Sequence, residues 1–189
     1  FNMGKHLWIE REDFMEVPGK GYFRLYPPHA SPSSNPPGQM KEGNKVRLKY
    51  GHIVQCTGCI KDADGKVVEV LAELIPDTKS GTPGSDSVKV KGVIGWVGCA
   101  DGIQAQVRLY DRLFTEAQPD AGGRDFLTVL NPNSLQTVTA WLEPSLAQAE
   151  PETHYQFERL GYFVTDKKDH SASHPVFNRV TGLKDSWGK

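Results

Sequence analysis

Two runs, HIVQCTGCI (52–60) and VVEVLAEL (67–74), flank the hexapeptide KDADGK. β-Branched residues recur in both runs, and Asp and Gly between them supply the turn chemistry of a hairpin. The same signature returns along the chain. KVRLKY (45–50) alternates strictly, with Val46, Leu48 and Tyr50 on one face and Arg47 and Lys49 on the other, a strand with a basic outer face. LWIE (7–10), YFRLY (22–26), SVKVKGVIGWV (87–97) and IQAQVRLYDRLF (103–114) read as further strands. The last of these points Ile103, Ala105, Val107 and Leu109 one way and Arg108 the other. In YQFERLGYF (155–163), the rings of Tyr155, Phe157, Tyr162 and Phe163 mark a half-buried strand with Gln156, Glu158 and Arg159 threaded between them.

Helix is scarce. EREDFMEV (10–17) suits one helical turn, and RDFLTVL (124–130), stopped by NPNS, suits a brief helix. PPHASPSSNPPGQMKEGN (27–44) can sustain neither helix nor ladder and is expected to be a long exposed loop. Many short strands separated by turn signals predict an all-β barrel or sandwich. A length of 189 residues allows two such units, with an inner boundary expected near residue 90.

Lys and Arg number 22 against 23 Asp and Glu, so the whole molecule is not driven toward nucleic acid. The distribution is uneven, however: net +4 over 16–50, −3 over 61–87 and +3 over 167–189. Basic strand faces and a basic tail are what a local polyanion site requires. No apolar run approaches a membrane span, and three cysteines that cannot all pair suit a reducing compartment, so a cytoplasmic protein is expected. The chain opens Phe-Asn-Met and enters a strand-like run at once, which suggests a fragment of something longer.

Catalytic patterns are wanting. Cys56 and Cys59 form a lone C-x-x-C without a second pair to complete a tetrahedral zinc site, so they read as small buried or half-buried thiols and no metal is expected. His170 and His174, in KKDHSASHP, read as loop residues. No phosphate-binding glycine loop, nucleophile elbow or defensible carboxylate pair is visible. What remains is Arg or Lys beside aromatic rings on strands, the composition with which single-stranded RNA is stacked and read at its base edges. The same pattern also suits a solvated outer face over an aromatic core.

KVKGVIGWV, VRLYDRLF, DFLTVLNPNSL, WLEPSLAQA, YQFERLGYFVTD and HPVFNRVTGLKDSW, in that order, closely resemble the C-terminal anticodon-binding region of the bacterial-type glutaminyl-tRNA synthetases. The resemblance runs from about LWIEREDF to the end of the chain. It implies two antiparallel six-stranded β-barrels related to the barrel of a ribosomal protein that binds 5S rRNA. It implies also that the partner is the anticodon loop of a tRNA for glutamine. By motif matching, Arg24 would face the third anticodon base, a guanine; Arg47 with Lys49 would serve the first; Gln156 and Arg159 would hold the central uracil.

Phe23 and Gly21 stand where family members often carry Lys and Gln, and Lys49 stands where a second Arg is common, so first-base reading is expected to be looser here. The family's catalytic domain, with its ATP motifs, has no counterpart in these residues. No cofactor is therefore expected in this chain, ATP belongs to the upstream domain, and the fragment alone should not aminoacylate. Part of the first barrel is likewise expected upstream, and the full-length enzyme is expected to be a monomer. Two alternatives stay open: a related glutamyl enzyme, which carries similar barrels, and a ribosome- or protein-binding barrel without anticodon specificity.

Overall fold

The computed structural model describes residues 2–30 and 38–183. The middle of the proline-rich loop, residues 31–37, and the end of the basic tail, 184–189, lie outside the described residues, as does the opening Phe1. The chain divides into two compact units: Met3–Val97, and the residues from Gly98 onward together with Asn2.

In the first unit, β1 (Leu7–Trp8) leads into a 3-10 turn at Arg11–Asp13, and a parallel bridge joins Phe14 to Leu25. β2 (His29–Ala30) and β3 (Met40–Lys41) pair antiparallel, so the ends of the proline-rich loop form a short ribbon. β4 (Lys45–Leu48), β5 (Ile53–Lys61), β6 (Val67–Ile75) and β7 (Gly92–Ile94) make a four-stranded sheet in the order β6-β5-β4-β7. The β5–β6 hairpin turns as its residues require: Asp62 Oδ1 accepts from the N–H of Asp64 and Lys66, and Gly65 takes φ 77°. The core gathers Leu25, Val46, Leu48, Val54, Cys56 and Ile94. The run SVKVKGVIGWV does not stay one strand, because Gly95 and Trp96 separate β7 from β8 (Val97–Gly98).

The second unit is a five-stranded sheet. β9 (Ile103–Tyr110), β10 (Leu135–Leu142), β11 (His154–Phe157), β12 (Gly161–Thr165) and β13 (Val176–Gly182) stand in the order β10-β9-β13-β12-β11. Ala105, Val107, Leu142, Leu146, Phe163 and Phe177 form its core. Leu146 comes from a 3-10 turn, Pro144–Gln148, and the brief helix expected in RDFLTVL is also 3-10, Phe126–Val129, capped by Asp125.

The all-β expectation holds, with helix confined to short 3-10 turns. The described residues show the expected class of sheets without showing the two closed antiparallel six-stranded barrels that the resemblance implies. The main sheets have four and five strands, are not closed, and each contains one parallel pair, β4–β7 or β9–β13. Parallel neighbours arise because the connections from β4 to β7 and from β9 to β13 run through other strands, which a two-residue hairpin cannot do. None of the described helical turns is long and apolar enough to cross a membrane.

Candidate nucleic-acid interface

Leu25 is buried, and backbone bonds to Asp13 and Met15 lock it into place, so its neighbour Arg24 must point outward. The Arg24 guanidinium is nevertheless tethered: its Nε lies 3.1 Å from Oδ1 of Asp13, a carboxylate with no exposed surface. One terminal nitrogen also reaches the Glu12 carbonyl at 3.4 Å, and Tyr22 donates its hydroxyl to that same oxygen at 3.1 Å. Burial, aided by the Asp13 charge, pushes the Tyr22 phenol up to about 12. Behind Arg24, the Asn44 amide donates to its backbone carbonyl at 2.9 Å. The guanidinium of Arg24 is thus held from behind, which leaves less side-chain entropy to be lost on meeting a ligand.

Arg47 is engaged differently. Its two terminal nitrogens donate to the carbonyls of Thr78 and Ser85, each at 2.6 Å, with longer contacts to Gly51 O and Ser80 Oγ. Thr78 is fully buried, and its hydroxyl accepts from the Ile53 N–H while donating to the Ile75 carbonyl. Arg47 therefore clamps the loop after β6 rather than presenting a free fork. Lys49 lies past the end of β4, with its ammonium 5.3 Å from the Tyr50 ring centroid and its carbonyl bonded by the Trp96 indole. Tyr50 does not share the buried face of Val46 and Leu48, because the strand has ended; it has φ 57° and is 70% exposed.

YQFERLGYF is not one strand but a hairpin. β11 ends at Phe157, Glu158 to Leu160 make the turn, and β12 begins at Gly161. Leu160 N–H closes the turn on the Phe157 carbonyl at 3.0 Å, and Arg159 adopts φ 69° at its tip. A side chain at Gly161 would come within 2.4 Å of the Thr181 carbonyl oxygen, so glycine is required where β12 meets β13. Tyr155, Phe157 and Phe163 pack inward, the last two stacked at 4.5 Å. Gln156 pairs directly with Tyr162 on the opposite, outer face, so one of the four rings is left beside Gln156 instead of in the core. Gln156 and Arg159 are thus brought onto one hairpin end.

Among the buried polar residues that sequence reasoning missed, two are ionisable, Asp13 and His170. Asp13 lay inside a run of charges, and only the 3-10 turn that inverts it reveals its burial. His170 is loop-borne as expected, but it is buried. Its Nδ1 accepts from the Val176 N–H at 3.1 Å, its Nε2 lies 2.7 Å from the Ala149 carbonyl, and its ring meets Phe177 edge-on. Cys56 is buried and its thiol pushed up to about 11 by that burial, while Cys59 and Cys99 are half-buried. Among the described residues no group of three or more His, Cys, Asp or Glu is placed to hold a metal ion.

Two family models match the chain, at residues 1–75 and 93–166, and both describe the anticodon-binding domain of class I tRNA synthetases for E and Q. The chain belongs to that family of RNA-binding domains. It is 59% identical over 189 residues to the glutamine–tRNA ligase of Cupriavidus taiwanensis and, equally, to that of Ralstonia nicotianae, covering 100% of this chain and 30% of each relative. Against the glutamine–tRNA ligase of Bordetella pertussis identity is 57% over 187 residues, 99% of this chain and 29% of the relative. The chain therefore spans about 30% of the length of these relatives.

Proposed function

We propose that this chain binds the anticodon loop of a tRNA for glutamine, as the reading part of a longer glutamine–tRNA ligase. The observation that carries the reading is the Asp13–Arg24 tether, which presents a guanidinium whose rear nitrogen is already satisfied. Arg24 would take the guanine at the third anticodon position through two parallel hydrogen bonds. Gln156 and Arg159 would hold the central uracil from the hairpin end. At the first position Lys49 would supply the cation, and Arg47 would act through the loop it clamps. A lysine in place of a planar fork leaves that position less strictly read. Ligation, with its ATP, belongs to the part of the protein outside this chain, in a cytoplasmic enzyme working as a monomer.

The test uses anticodon stem-loops that differ only at the central base, bound to wild type and to Arg159→Ala over a salt series. A base contact costs the cognate loop about 1–3 kcal/mol and spares the others. A phosphate contact weakens all loops alike and lowers the salt slope by about one unit. Uniform losses would remove Arg159 from the reading set. Arg159→Gly serves as the backbone control, because glycine accepts the left-handed conformation that alanine resists.

A further inference from the structure

Two glycines mark places where backbones of the first unit touch. A Cβ at Gly92 would fall 2.0 Å from the Phe23 carbonyl oxygen, and one at Gly43 would fall 1.8 Å from that of Cys56. Beside these contacts lies an open cleft of about 290 Å³, lined among others by Phe23, Tyr26, Glu42, Lys45, Lys89 and Lys91. Val46 faces Gly92 in the parallel β4–β7 ladder, and Lys45 and Lys91, the residues immediately before them, both line the cleft. Glu42 is its one carboxylate, and it accepts from the Gln55 amide at 3.2 Å. Among the described residues none of the three lysines is ion-paired. The Lys91 ammonium lies instead 4.9 Å from the centroid of the Phe23 ring, which is 47% exposed.

Three lysines against one carboxylate give the cleft a net positive lining, which an anion would offset. A phosphodiester supplies that anion, and a base attached to it supplies a flat partner for the exposed ring. We propose that this cleft binds a nucleotide of single-stranded RNA, with its phosphate on Lys45, Lys89 and Lys91 and its base against Phe23. The choice of RNA rests on the reading above, but none of these residues belongs to the base-reading set. An acidic peptide would satisfy the lysines and leave the ring unused, which makes Phe23 the discriminating residue.

The experiment titrates the 189-residue chain with a single-stranded uridine oligonucleotide and, separately, with the anticodon stem-loop, following amide shifts and affinity over a salt series. The variants are Phe23→Leu and the double variant Lys89→Gln/Lys91→Gln, each checked for an unchanged unfolding midpoint. Shifts are expected around Phe23, Lys45 and Lys91. The double variant should bind both RNAs about tenfold more weakly and lower the salt slope by about 0.7, the value for one single-strand phosphate contact. Phe23→Leu should weaken binding several-fold at an unchanged slope. Undiminished affinity and slope in the double variant overturn the proposal, as does poly-glutamate binding that displaces the oligonucleotide and is indifferent to Phe23→Leu. If the oligonucleotide is lost in the lysine variant while stem-loops go undiscriminated, the anticodon reading fails and the cleft stands. Discriminated stem-loops with an indifferent lysine variant give the converse.

Discussion

The Nε of Arg24 and the Oδ1 of Asp13 lie 3.1 Å apart, joining a side chain that is 37% exposed to one that is not exposed at all. A buried carboxylate is tolerated only when paired, so each member depends on the other. Asp13→Asn keeps the shape and removes the charge. It should lower stability by about 1–3 kcal/mol and weaken the cognate stem-loop, since Arg24 is no longer aimed. A double-mutant cycle with Arg24→Ala checks this: the two stability losses should be strongly non-additive, and simple additivity would mean the tether contributes nothing.

Arg47 holds the loop after β6 by two carbonyls at 2.6 Å. Arg47→Lys keeps the charge but not the fork, so it should cost about 1–2 kcal/mol and speed hydrogen exchange at Ser80 to Ser87. Unchanged exchange there, with binding lost, would return Arg47 to direct contact with RNA.

Asp166 accepts from the Asn178 amide and from the N–H groups of Asp169 and Lys168, and it pairs with Arg108; together, led by Asn178, they hold its carboxyl down to about 2. The folded chain therefore binds this proton less readily than the unfolded chain, whose carboxyl titrates near 3.8. The stabilisation is complete above that value and is lost as pH falls toward about 2. Asp166→Asn should be less stable by about 1–2 kcal/mol at neutral pH, with the gap to wild type closing across that window in urea unfolding. A gap independent of pH would assign the loss to geometry and not to charge.

His170 joins the Val176 N–H to the Ala149 carbonyl inside the second unit. His170→Ala strands both groups and opens a void beside Phe177, for an expected cost of about 2–4 kcal/mol in denaturant unfolding. His174, exposed four residues on, should tolerate alanine within about 0.5 kcal/mol.

Strand content was legible because alternation and turn chemistry are local properties. IVQCTGCI and VVEVLAEL became the β5–β6 hairpin around the predicted turn, and Val46 and Leu48 were inward where the pattern put them. The basic and amide residues of the candidate interface were legible too as residue types, Arg47 and Gln156 on strands and Arg24, Lys49 and Arg159 outside them. Their present partners were not. Whether an arginine is free or clamped depends on which distant segment passes it, and Thr78 and Ser85 lie more than thirty residues from Arg47. The hairpin inside YQFERLGYF was hidden because its turn uses Arg159 at positive φ, a conformation the sequence advertises only through the glycine two places later. Parallel pairing of β4 with β7 and the lysine cleft beside it likewise follow from chain crossings, which periodicity does not encode. Local patterning, then, determined that this chain is β-structured, whereas burial of Asp13 and His170, the clamp on Arg47 and the parallel pairing of β4 with β7 were decided only by long-range packing.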